Sequence, residues 1–191
     1  MSSFQFFGMQ PYQADPSSQI NAALDGIKAL VISLDGVLTD GTITLDGEGR
    51  EMPALFARDL AGIREALRLG MKVAVIAGRL AGAYRQMLEA AGPVDLFLDG
   101  EEPLEAFEAF KNRHGLQDEE CACIADDIDD LELLKKAGLP VTPINGAEYL
   151  RNRVAYISVF EGGRGCVREI VEMILDHQNR WEYSEKQASA E

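Results

Sequence analysis

The feature that most restricts what this chain can fold into is an alternation running from residue 29 to about residue 176, in which short apolar runs are separated by segments with helical spacing. The apolar runs at 29–34, 72–76, 96–98, 121–125, 139–142 and 156–158 read as short buried strands. Between them, 62–69, 81–91, 103–114 and 130–137 place apolar residues three and four apart, as a helix with one buried face requires. Pro103 suits the first turn of its helix and Gly115 its stop. Strand–helix alternation with short connections predicts an α/β fold, a Rossmann-like parallel sheet with helices on both faces.

One segment breaks the alternation. Residues 42–45 and 51–56 flank Asp46-Gly47-Glu48-Gly49, which predicts a β-hairpin, about 42–57, inserted directly after the first strand. The expected division is therefore an N-terminal extension over 1–26, an α/β domain over 27–176 and a charged C-terminal tail over 177–191. Residues 1–16 are polar and aromatic without periodicity. Phe4, Phe6, Phe7 and Trp181 lie in the two extensions, where exposed aromatics suit docking onto a protein partner.

Charge narrows the partners. Eighteen basic residues stand against 32 acidic ones, a formal charge of −14 over 191 residues. Such a field repels phosphate backbones and anionic lipid, so neither nucleic acid nor a membrane surface is expected. An anionic small molecule would need a locally basic pocket. The first residues show no basic leader or long apolar run and no segment is long enough to cross a bilayer, so the expected location is cytoplasmic. Cys121 and Cys123 are two apart in an apolar run, point to one face of a strand and read as buried thiols; a metal site there would need partners, and the two histidines are His114 and His177.

In parallel α/β sheets, ligands gather outside the carboxyl ends of the strands. Here those ends carry Ser33-Leu34-Asp35-Gly36, Ala77-Gly78-Arg79 and Asp126-Asp127-Ile128-Asp129-Asp130. Singly, each is ordinary: a turn, a loop, an acidic helix start. In this order, with a hairpin after the first, they converge on one site. Later, Gly162-Gly163-Arg164-Gly165 precedes a helix beginning near Cys166. It reads either as an anion cradle helped by Arg164 and Arg168, or as a tight loop at a subunit interface.

LDGVLTDG, the hairpin, VIAGR, ADDIDD and EGGRGCVRE together resemble the 3-deoxy-D-manno-octulosonate 8-phosphate phosphatase family, a capless branch of the haloacid-dehalogenase (HAD) superfamily, over roughly residues 27–176. The resemblance implies a Rossmann-like fold, a Mg²⁺ site and hydrolysis of a phosphorylated acidic sugar. It also implies a homotetramer whose hairpins and C-terminal segments reach neighbouring subunits' sites. By the same resemblance Asp126, Asp127, Asp130 and the backbone carbonyl of Asp35 stand at metal positions. Arg79, Arg164 and Arg58 stand at substrate-binding positions, and Asp35 is the general acid/base.

The chain departs from the family pattern at its reactive centre. The family's first motif is D-x-D-G, whose first Asp attacks phosphorus and ligates Mg²⁺; here Ser33 holds that position. The second motif's hydroxyl residue is Ala77, and a phosphate-neutralising Lys is replaced by Pro103, after Glu101 and Glu102. The fourth motif opens on Ala125 in place of Gly, and Leu60 stands where a Gly is usual, adding bulk where the site should be open. A serine must be deprotonated before it attacks, and a phosphoserine is a plain ester that does not break down as an aspartyl phosphate does. Losing a carboxylate also weakens the hold on a hard cation, so Mg²⁺ is expected to bind weakly or not at all. The expected function is a binding or scaffold subunit impaired as a phosphatase. The alternative is an active Mg²⁺-dependent phosphatase for a phosphorylated acidic sugar, with a nucleophile from elsewhere or water attacking with Asp35 as base. A receiver-like signalling domain fits least, because the hairpin and the GGRG loop have no role in one.

Overall fold

The computed structural model of the chain describes residues 16–181. Six strands form one parallel sheet: β1 (Ala29–Ser33), β2 (Lys72–Ile76), β3 (Asp95–Phe97), β4 (Cys121–Ile124), β5 (Leu139–Thr142) and β6 (Tyr156–Ile157), in the order β3-β2-β1-β4-β5-β6. The helices are α1 (Pro16–Gly26), α2 (Ala57–Arg68), α3 (Arg85–Glu89), α4 (Pro103–His114), α5 (Leu131–Lys136), α6 (Glu148–Arg151) and α7 (Cys166–His177). The expected α/β class and doubly covered sheet are what the chain forms.

Period-2 alternation splits the core into two. Leu30 and Ile32 of β1 join Leu24, Ile63, Ile170 and Ile174 on the face covered by α1, α2 and α7. Ala29 and Val31 join Phe107, Phe110, Leu133 and Leu134 on the face covered by α4 and α5. Cys121 and Cys123 lie in this second core as free, fully buried thiols, and burial pushes both up in pKa. His114 and His177 are spent elsewhere, on Asp95 and Asp25. Among the described residues no helix is long and apolar enough to cross a membrane.

The sheet order puts the site where the topology dictates. From β1 the chain winds outward through β2 and β3, then returns to pair β4 on the other side, so a crevice opens at the β1/β4 switch point. Register brings the loops level: Ser33 pairs with Ile76, and Ile32 with Ile124.

Several boundaries differ from expectation. Residues ahead of 27 also join the core: α1 packs on α7, Leu24 is buried on it and Ile27 is buried just after it. The helix expected over 62–69 starts at Ala57, where Asp59 turns inward and is buried. The 81–91 segment opens with a 3₁₀ turn, Gly82–Tyr84, before α3, and 130–137 opens likewise with Ile128–Asp130 before α5. The hairpin is an arm without extended ladders: a single antiparallel bridge, Leu45 to Glu51, joins its two limbs, helped by Met52 N–H to Thr44 O at 2.9 Å. Trp181, expected to meet a partner, packs on the chain's own core with the Arg168 guanidinium 4.6 Å from its ring centre. Phe4, Phe6 and Phe7 lie outside the described residues.

Candidate active site

After β1 the backbone closes a tight loop over Leu34–Leu38, with Thr39 N–H bonded to Leu34 O at 2.9 Å. Gly36 sits at φ +69, and any Cβ there would collide with the Asp126 carboxylate. The glycine therefore has two grounds, conformation and contact. On the loop's other side, Gly163 N–H bonds Val37 O at 2.8 Å, and a Cβ on Gly162 would strike the Gly36 carbonyl. The GGRG segment thus packs backbone to backbone on the first motif.

A cleft of about 380 Å³ opens above the β1/β4 crevice. Ser33, Asp35, Ala77, Arg79 and Pro103 line it together with Asp126, Asp127, Asp129 and Asp130. All three expected loops converge there, and Pro103 at the start of α4 lines it with them. Among the described residues, five carboxylates and one cation, Arg79, line this cleft. Leu60 is not in it; that side chain packs against the core under α2.

Ser33 Oγ donates to Asp130 Oδ2 at 2.7 Å. Burial, then the Asp130 and Asp127 charges, push Asp126 up to about 6. Burial pushes Asp130 to about 6 as well, with the Ser33 hydrogen bond acting against the rise and Asp129 and Asp127 adding to it. Asp127 is turned on its own backbone, accepting from Ile128 N–H at 2.7 Å, so of the expected metal-side acids it is the one engaged in capping.

Hard oxygen donors such as these suit Mg²⁺ in kind. Asp126 and Asp130 are crowded, charge-bearing and short of a positive neighbour, which is the environment a cation would relieve. In number the set is poor: the Ser33 hydroxyl is committed to Asp130, and among the described residues no group of three or more His, Cys, Asp or Glu is arranged to hold a metal. The carboxylate oxygens present fit a hard cation in kind.

Arg79 is wholly engaged. Its Nε and Nη2 donate to both Asp35 oxygens at 2.7 and 2.9 Å, Nη1 and Nη2 to both Glu51 oxygens at 3.1 and 2.8 Å, and Nη1 also to Leu80 O at 3.2 Å. A guanidinium has five N–H donors, and these five bonds use them. The bonds from Arg79 hold the Glu51 carboxyl below the usual range. Sequence reasoning missed Glu51; nothing in GREMPALF marks it, because its partner is 28 residues away in another element.

The remaining expected residues lie outside the cleft. Arg58 and Arg164 line a neighbouring hollow of about 400 Å³ with Arg168, Glu169 and Glu172. Arg164 is 61% exposed and reaches Asp40 at 3.6 Å. The expected anion cradle at the start of α7 already holds an anion of its own: buried Asp59 accepts from Gly165 N–H at 3.1 Å and Arg168 N–H at 2.8 Å. Burial raises the Asp59 pKa, against the pull of these bonds.

No family model matches the chain. It is 31% identical over 172 residues, 90% of this chain and 92% of the relative, to the 3-deoxy-D-manno-octulosonate 8-phosphate phosphatase of Salmonella typhi. Solved structures share the fold, two of them as follows. One is the Moraxella catarrhalis 3-deoxy-D-manno-octulosonate 8-phosphate phosphatase in complex with magnesium, phosphate and KDO, 30% identical, with a TM-score of 0.83 over 91% of this chain and 99% of that one. The other is the cobalt-bound Haemophilus influenzae deoxy-D-mannose-octulosonate 8-phosphate phosphatase, 29% identical, with a TM-score of 0.80 over 88% of this chain and 99% of that one.

Proposed function

The chain belongs to the 3-deoxy-D-manno-octulosonate 8-phosphate phosphatase family of the HAD superfamily, and from that premise we propose that it is a member impaired in hydrolysis, an oligomeric binding protein whose cleft receives a phosphorylated acidic sugar without turning it over. The observation that carries this reading is Ser33 at the end of β1, with its hydroxyl committed to Asp130.

The chemistry follows from that bond. Asp130 accepts from the Ser33 hydroxyl, so the most it could do for this serine is take up its proton as the hydroxyl attacks. Were Ser33 phosphorylated, the product would be a stable ester instead of a labile mixed anhydride. Asp35, the acid/base position, has both oxygens engaged by Arg79. Ala77 offers no hydroxyl and Pro103 no charge to a phosphoryl group. Electrostatic stabilisation is usually the largest catalytic term, each donor being worth about 3 kcal/mol. A Mg²⁺ ion, when bound through Asp126, Asp130 and the Asp35 carbonyl, would supply charge neutralisation for an incoming phosphate.

Assembly is part of the proposal. The arm exposes Ile43, Leu45 and Met52 at 53–58%, and a lone hairpin cannot bury them. A homotetramer that covers these side chains suits them.

A second reading, a working Mg²⁺-dependent phosphatase of a phosphorylated acidic sugar, is favoured by the names of the relatives and by the Ser33–Asp130 contact, which pairs a hydroxyl with a carboxylate. A steady-state assay of phosphate release from a panel of sugar phosphates, 3-deoxy-D-manno-octulosonate 8-phosphate included, with Mg²⁺ separates the two. The proposal expects release at the buffer rate. Turnover that disappears in Asp35→Asn establishes the second reading instead.

A further inference from the structure

The Arg79 network joins the loops at the sheet to the arm. Asp35 belongs to the loop after β1, on which the GGRG segment packs, and Arg79 to the loop after β2. Glu51 belongs to the arm, whose limbs meet at one bridge, formed by Glu51 itself. Beneath the arm lies open space of about 240 Å³, between Thr44, Met52 and Ala54 on one side and Gly163 and Arg164 on the other. The arm is thus held at the cleft by a charge contact more than by packing.

Glu51 presents Arg79 with a planar, singly charged, bidentate oxyanion at 2.8 and 3.1 Å. A carboxylate ligand presents the same geometry, and a phosphate presents a comparable pair of acceptor oxygens. Since every guanidinium donor is in use, a ligand anion cannot add to Arg79; it has to exchange with an acceptor already there. Of the two carboxylates, Glu51 is the one on a segment able to leave.

We infer that Glu51 is an internal counter-anion that fills the ligand position of Arg79, so that a phosphate or carboxylate ligand enters the cleft by displacing Glu51 and releases the arm from the sheet. The inference rests on the reading of the cleft as an anion site and adds to it the residue that opposes entry. Competition lowers ligand affinity by the stability of the internal pair, and it makes arm position report occupancy.

The test uses orthophosphate as probe, measured by titration calorimetry on the full chain, with hydrogen exchange of the amides over 42–55 recorded in parallel. Glu51→Gln keeps the shape of the side chain and removes the charge. It is expected to bind orthophosphate roughly tenfold more tightly than the unaltered protein, the factor that corresponds to about 1.4 kcal/mol. Arm amides are expected to exchange faster in Glu51→Gln, and faster in the unaltered protein at saturating phosphate. Equal or weaker phosphate binding by Glu51→Gln overturns the inference. If neither protein binds orthophosphate, the anion-site reading itself fails, and exchange alone then judges the latch: arm protection unchanged in Glu51→Gln overturns it, and faster exchange upholds it.

Discussion

Ser33 and Asp130 share a single hydrogen bond, and the chemistry of the site turns on what that bond replaces. A carboxylate at 33 would stand against Asp130 without a proton between them. Ser33→Asp is therefore expected to lower the melting temperature in chelator and to gain more from added Mg²⁺ than the unaltered chain. At a hundredfold excess over its dissociation constant a ligand adds about 2.7 kcal/mol. Phosphatase turnover is not expected to return, because Ala77 and Pro103 remain. An equal Mg²⁺ response in the two proteins would show that position 33 does not touch the metal. The acids also set a pH dependence. Asp126 and Asp130 are pushed from an ordinary 3.8 to about 6, so between those values the metal-free native state holds protons that the unfolded chain has released. Stability in chelator must then fall as pH rises from about 4 to about 6, by on the order of a few kcal/mol, and level off above. Denaturant unfolding at a series of pH values reads this directly, and stability rising through that window would contradict it. At this scale the sequence displayed the cleft residues well, since each follows a strand. It hid Glu51 and the capping role of Asp59, whose partners are set by tertiary contacts with Arg79 and with the α7 N-terminus.

Elements carry a different kind of information. The central strands were legible because burial on both faces leaves a nearly continuous run of apolar residues, and the resulting sheet fixes which loops meet. The arm was legible as a hairpin but not as the loose structure it is. Its turn chemistry is local, whereas strand ladders need a neighbour to cover Ile43, Leu45 and Met52. Helix α1 was hidden because its apolar face is thin, Ile20, Ala23 and Leu24, and it packs on α7. The GGRG loop read equally as an anion cradle or a tight loop at a subunit interface; its backbone packs within the chain, on Gly36 and Val37. That gives a prediction at this scale. Gly162→Ala forces a methyl into the Gly36 carbonyl, a backbone group that cannot swing aside, and is expected to cost about 1–3 kcal/mol in thermal or denaturant unfolding. Gly47→Ala, with open space around it, is the matched control. Equal losses at the two positions would mean that the loop does not rest on the first motif.

For the whole molecule, charge and apolar exposure set opposing demands. A formal charge of −14 keeps copies apart, while the exposed arm and the exposed Val159 and Phe160 draw them together. Association is expected to prevail, giving a tetramer by light scattering at micromolar concentration. Leu45→Glu, which places one more negative charge on the arm, is expected to lower the mass; a monomeric unaltered protein would contradict the assembly. The central claim is binding without cleavage, and one measurement addresses both halves together. The ³¹P NMR spectrum of 3-deoxy-D-manno-octulosonate 8-phosphate with the protein and Mg²⁺, followed for a day, shows the bound ester and any released orthophosphate in the same tube. The account predicts a broadened or shifted ester resonance and no orthophosphate beyond a protein-free control. Orthophosphate accumulating with the unaltered chain, and not with Asp35→Asn, would contradict it.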